Sequence, residues 1–461
     1  MLEFLKKNSR KTAVFLIACL FTLQFTDKIG EVVRGEQTCV CAYDGYGYYM
    51  YITRLFQHGD LKLEQKEIQE IQDKYCGGIY AYQLRAMDNG NQVNIYHMGQ
   101  AYLELPAYAV GDLFARMLHY PRDGFSTPYH LAFLLNALLF ILLGIHFLSK
   151  LLRLFFSEQL CALILLIVYF GTNFWVTAVH SYHLQHIYLF ALVAILFHAL
   201  VKFRENPARR GNLILAALIL GLISSIRPTH VLLGCLPLFL LRGIFPRKRA
   251  YWKALLLFPL AGLLFNIPQL LYWKLIGGSW FIPNLHVEEV IITDPHVFDF
   301  LFSYKKGWLL YTPVFLLLIP GFVFFYRQRK ELFWGVFVSM ILCIWIFASW
   351  ECWWYAASYS SRAMVDLYPL LAVPLGFGLI YLGRKRITAI PVMLLLGCFI
   401  GLAAFQSRQF TLGYLHMERM TKAHYWYIFG KLSFDHYELE RLEIDRNDTE
   451  WPSKEIGRAH V

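Results

Sequence analysis

Apolar runs of roughly bilayer-spanning length recur along most of the chain, and short basic clusters separate them. About 11 such runs occupy 12–27, 130–149, 159–178, 184–202, 211–226, 228–242, 254–273, 308–326, 331–350, 365–383 and 387–406. A spanning helix needs about 20 mostly apolar residues, and in hydrocarbon only helices and closed barrels satisfy their own backbone polar groups. The pattern therefore predicts an all-α polytopic membrane protein. The runs on either side of Arg227-Pro228 are short and can form one kinked, re-entrant unit. Composition agrees: 57% of the 461 residues are hydrophobic and 16% charged, against about 45–50% and about 25% in soluble domains.

The basic clusters orient the spans. With the N-terminus inside, Lys150/Arg153, Lys202/Arg204/Arg209/Arg210, Arg242/Arg247/Lys248/Arg249/Lys253, Arg327/Arg329/Lys330 and Arg384/Lys385/Arg386 all fall in cytoplasmic loops, as the positive-inside rule requires. The net charge of +11 thus belongs to topology. No basic face interleaved with aromatics is present to suggest nucleic-acid binding. The first apolar run follows Lys6, Lys7, Arg10 and Lys11 but lacks a small-residue cleavage site at Phe25-Thr26-Asp27, so it reads as an uncleaved first span. The expected organisation is an N-terminus and first span over 1–27, and an outer first loop with interfacial helices over 28–129. A membrane domain over 130–406 and an outer tail over 407–454 follow. The last residues, 455–461, read as sequencing-adapter read-through.

This topology places the chemically interesting residues on the outer face. Tyr43-Asp44-Gly45-Tyr46-Gly47-Tyr48-Tyr49 sets a carboxylate in a Tyr-rich interfacial stretch. Asp44 is a general base, a metal ligand or a solvated loop acid, and Tyr48 and Tyr49 are candidate substrate contacts. Tyr96-His97-Met98-Gly99-Gln100 precedes a second interfacial segment, with His97 and Gln100 as polar candidates beside a structural reading. His180, His183 and His186 span about 120° of one face if the segment is helical. They suit a metal, a ligand contact or a wet helix mouth. Arg227 in Ser225-Ile226-Arg227-Pro228-Thr229-His230 lies between two apolar runs, where arginine costs about 2.5–3.5 kcal/mol. It suits a phosphate ligand, which guanidinium pairs bidentately, or snorkelling to the interface. His230 follows it. Glu351, Trp354, Tyr359 and Arg362 form an aromatic, charged turn that is either a binding surface or an interfacial belt, and Lys305 and Lys306 add cations at the same level. Cys39, Cys41 and Cys76 share one polar segment in which a disulfide to Cys76 can form. Cys19, Cys161, Cys235, Cys343 and Cys398 lie inside apolar runs. Walker, H-E-x-x-H and G-x-S-x-G motifs are absent from the sequence, which disfavours ATP-driven transport and standard hydrolase chemistry.

Taken in order, these motifs resemble the GT-C superfamily of integral membrane glycosyltransferases, in particular the bacterial branch of protein mannosyltransferases and lipid A aminoarabinose transferases. Tyr43-Asp44-Gly45-x-Gly47-Tyr48-Tyr49 is similar to the first-loop acidic motif. His97-Met98-Gly99-Gln100 through Pro106 is similar to the interfacial segment that follows. Leu301–Pro313 is similar to a "FSp-x-x-G-l-x-x-y-x-P" pattern, and Tyr359-Ser360-Ser361-Arg362 before Tyr368-Pro369 to an "S-y-G-p-R…P" element. The first loop has one acid where many members carry two adjacent ones, and Ser360-Ser361 stands in place of Gly-Pro. The resemblance implies a bacterial inner-membrane enzyme acting on the periplasmic face; the basic clusters put the N-terminus in the cytoplasm and the C-terminal tail in the periplasm. It implies a polyprenyl-phosphate sugar donor and a lipid, glycan or protein acceptor. On that reading Asp44 is the base, Arg227, Arg362, Lys305 and Lys306 bind the donor phosphate, and Tyr48, Tyr49, His97, Gln100, His183, His186, His230, Glu351, Trp354 and Tyr359 contact substrate. A divalent cation is left open. The competing readings are a transporter or flippase of lipid-linked saccharides, a polysaccharide ligase or polymerase, and a non-catalytic assembly subunit. The enzymatic reading requires Asp44 to meet the two arginines in space.

Overall fold

A computed structural model describes residues 2–37, 39–40, 42–245, 247–282, 289–433 and 442–443. Cys41, His286 and the segment 455–461 lie outside the described residues, as does most of the tail beyond 433. The chain is a multi-pass, almost entirely helical membrane protein.

All eleven apolar runs become helix, but among the described residues seven make full, unbroken spans. These are α1 (Leu2–Val33), α5 (Thr127–Arg153), α8 (His186–Glu205), α11 (Lys248–Gly277), α15 (Lys330–Ala348), α16 (Tyr368–Gly383, entered through a 3-10 turn at Arg362–Leu367) and α17 (Arg386–Thr411). An eighth is bent by 54° between α6 (Glu158–Phe170) and α7 (Phe174–His180). Three runs fall short of the expected full spans. α9 (Arg210–Ile226) has 17 residues, about 25 Å of rise against a core of about 30 Å. It stops at Arg227 because Pro228 cannot continue it and forces its predecessor out of helix. A 3-10 turn over Pro228–Gly234 and α10 (Cys235–Leu240) follow. Thr312-Pro313 likewise divides α13 (Trp308–Tyr311) from a 3-10 turn and α14 (Leu318–Gln328).

α8 and α16 are enclosed on nearly every side, whereas α1, α11 and α17 present apolar surface outward. Leu275, Ile387 and Leu394 are among those exposed side chains, as a bilayer-facing rim requires. One end of the bundle is closed by basic residues. Arg10 Nε lies 3.2 Å from Glu158, and Arg204 bonds Glu331 at 2.6 Å and the Leu240 carbonyl at 2.6 Å.

The opposite end carries the first loop. It is built from α2 (Asp44–His58), α3 (Gln65–Tyr75), a two-stranded antiparallel hairpin of β1 (Leu84–Ala86) and β2 (Gln92–Asn94), and α4 (Gly99–Met117). A Cys39–Cys76 disulfide closes a 37-residue separation within it. The loop is fastened to the spans by Asn94 N to Tyr272 Oη (2.9 Å), Met98 N to Gln269 (2.8 Å) and the Asn89 and Asn91 side chains to the Ile276 carbonyl. α12 (Val297–Phe302) and α18 (Lys422–Ile428) pack at the same end.

Candidate active site

Among the described residues, two acid–guanidinium pairs at the first-loop end join groups far apart in sequence, by 318 and 139 residues. In the first, Arg362 Nη2 lies 3.1 Å from Asp44 Oδ2. Asp44 opens α2, where the helix dipole favours negative charge. Its other oxygen accepts the hydroxyls of Tyr82 (2.7 Å) and Tyr96 (2.8 Å). The Asp44 side chain is 28% exposed, so the carboxylate is held in place yet reachable. Gly47 makes this possible, because a methyl group there would land inside the Tyr96 ring. Arg362 arrives from a strained loop in which Tyr355, Ala356 and Ser360 have φ of 58°, 46° and 55°. The α6–α7 bend pins that loop, since Asn173 donates to the carbonyls of Tyr359 (3.1 Å) and Ser361 (3.2 Å).

In the second pair the acid is sealed. Asp366 is fully buried; Arg227 Nη1 lies 3.1 Å from its Oδ2, His230 Nε2 3.1 Å from the same oxygen, and His186 Nδ1 2.8 Å from Oδ1. The Arg227 guanidinium carbon is 4.9 Å from the centre of the Phe347 ring and 5.1 Å from that of Tyr355.

Tyr48 is buried within electrostatic range of both pairs, feeling Asp44, Arg227, Arg362 and Asp366. Burial, followed by the Asp44 charge, pushes its phenol well up. The same two causes raise Tyr82 and Tyr96, so all three remain hydrogen-bond donors at neutral pH. Burial lowers His183 to about 4, with Asp44 opposing. Its imidazole is neutral and sits against the Gly45 backbone.

The remaining candidates divide. Gln100 donates to the His183 carbonyl (3.0 Å) and to Glu104 (2.6 Å), bracing the neighbourhood of Asp44. Lys305 lies over the Trp354 ring at 3.8 Å. Lys306 is buried and donates to the Ser358 carbonyl and, at 3.2 Å, its hydroxyl; burial drives its pKa well down. Tyr49 is a core residue whose hydroxyl goes to the Gly124 carbonyl at 2.7 Å. His97 packs edge-on against Trp273. Glu351 is exposed and accepts from Glu289 N at 3.2 Å. Tyr359 is buried against Tyr311 and Phe410.

The three histidines do not share a helical face. α7 ends at His180 and α8 starts at His186, with 181–185 turning between them. His180 is exposed beside Phe410, His183 faces Asp44, and His186 binds Asp366. Among the described residues no group of three or more His, Cys, Asp or Glu side chains is arranged to hold a metal ion.

Sequence reasoning overlooked Asp366 and Tyr82. An acid four residues after Arg362, at the mouth of an apolar run, was the available signal for Asp366. Tyr82 had none, because hairpin geometry alone brings it to Asp44.

No family model matches the chain, and no curated protein does. Among solved structures it is similar to the crystal structure of ArnT from Cupriavidus metallidurans in the apo state. The TM-score is 0.49 and the identity 16%, over 86% of this chain. The chain spans about 65% of that protein's length.

Proposed function

We propose that the protein is a GT-C-type membrane glycosyltransferase that moves a sugar from a polyprenyl-phosphate donor to a lipid, glycan or protein acceptor at the outer face of a bacterial inner membrane. The observation that carries this reading is the Asp44–Arg362 pair, which stands at the mouth of the bundle beside Tyr48 and the second guanidinium, Arg227. Such a donor keeps its tail in lipid while its phosphate and sugar lie at the interface, the level at which these groups meet.

Asp44 takes the proton of the acceptor hydroxyl as that oxygen attacks the anomeric carbon. The bond from that carbon to the phosphate oxygen breaks, and its electron pair leaves with the polyprenyl phosphate. Phosphate is a good leaving group, so a second carboxylic acid of the kind glycosidases use is unnecessary. Arg227 and Arg362 stabilise the charge that develops on the departing phosphate, with Lys305, held over the Trp354 ring, as a further cation. The single displacement inverts the anomeric carbon. Tyr48, Tyr82 and His183 border the sugar.

The test is Asp44→Asn in cells that lack the native protein. Lipid extracts should accumulate a polyprenyl monophosphate sugar that the wild type clears and a correctly inserted Asp44→Asn protein does not. Clearance by that variant at the wild-type rate removes the assignment of Asp44 as base.

A further inference from the structure

Asp366 is charged, central and unused by the chemistry above. Its carboxylate touches one formal cation, Arg227, and two imidazoles, all within 3.1 Å. Replacing a buried ion pair with apolar side chains is often neutral or stabilising, so stability alone is a poor account of it. The state of Arg227 gives a better one. One nitrogen is tied to Asp366, and the guanidinium carbon lies near two aromatic rings. The backbone is fixed where α9 breaks before Pro228. The side chain keeps 14% exposure; the Tyr355 hydroxyl is a second hydrogen-bond partner of its guanidinium, and the five N–H donors of an arginine outnumber these two partners. An arginine free in solution loses considerable rotamer freedom when it grips a ligand, and one already held loses little.

We propose that Asp366 is a positioning residue that, with Tyr355, presents the remaining N–H groups of Arg227 as a pre-set fork for the phosphate of a polyprenyl phosphate, with His186 and His230 holding the carboxylate in register. This rests on the lipid-phosphate reading and adds to it the device that orients the phosphate.

The test compares the binding of undecaprenyl phosphate with that of undecaprenol, its uncharged counterpart, to the purified full-length protein in nanodiscs. A merely structural residue affects both lipids alike, whereas a positioning residue affects only the preference for phosphate. The wild type should favour the phosphate at least tenfold. Arg227→Gln should cut that preference several-fold, leaving what Arg362 supplies, Asp366→Asn should cut it to the same extent, and the double variant should lose no more. Arg227→Lys keeps a cation opposite Asp366 but removes the fork, so it is informative even where Asp366→Asn folds poorly; its preference should fall several-fold. Wild-type preference in Asp366→Asn or in Arg227→Lys overturns the proposal while leaving the lipid-phosphate reading intact. No preference in the wild type overturns both.

Discussion

The two acid–guanidinium pairs use the same chemical groups in opposite ways. Asp44 stands at the tip of a first-loop helix, 28% exposed, bound by one arginine and two tyrosine hydroxyls. Asp366 lies at the head of an enclosed span, 0% exposed, bound by one arginine and two imidazoles. On the proposed reading, the difference separates a carboxylate that can exchange a proton with a substrate from one that can only orient its neighbours. It also separates the expected consequences of removing each.

The largest effect should fall on activity at the open pair. Asp44→Asn is expected to slow transfer by about 10²–10⁴-fold, the range for loss of a general base, in a protein that still inserts and folds. At the sealed pair the order reverses and stability suffers most. Asp366→Asn leaves the buried Arg227 charge uncompensated, a loss of about 3–5 kcal/mol. Its thermal midpoint in detergent should drop well below that of Asp44→Asn; equal midpoints would erase the distinction between the pairs. Gly47→Ala drives the Tyr96 ring away from Asp44 and should lower activity by about 10- to 100-fold through misplacement of the carboxylate, with little change at Asp366. Ser360→Gly relieves a left-handed conformation just before Arg362. It should raise stability by about 1 kcal/mol, the strain relief less the entropic cost of glycine.

A separate effect, confined to acid pH, concerns His183. His183 titrates near 4 in the folded chain and near 6.5 when unfolded. Between these values the unfolded chain binds more protons, so stability rises with pH and is lost as pH falls through that window. His183→Gln should flatten that part of a thermal-midpoint titration; an unchanged slope would place the acid sensitivity elsewhere.

Helix positions were legible from hydropathy because the runs that become full spans follow bilayer thickness. The interruptions at Arg227-Pro228 and Thr312-Pro313 were less so: proline marks a break, but the resulting 3-10 turns depend on packing. The histidine segment misled for a related reason. A helical period laid over 180–186 assumed a continuity that the turn at 181–185 removes. Asp44 and Arg362 stood out as charges bordering apolar runs, and so did Arg227, whereas the sequence alone could not reveal that Asp366 takes Arg227 as its partner. Tyr49 and Tyr359 belong to aromatic stretches in which core and surface positions have the same composition.

The most direct test of convergence at the first-loop end is an experimental structure of the protein with undecaprenyl phosphate. The account predicts the phosphate beside Tyr48, within hydrogen-bond distance of both Arg227 and Arg362, with Asp44 facing the side where a sugar would hang. A phosphate bound at the basic end, or one that touches neither arginine, would contradict it.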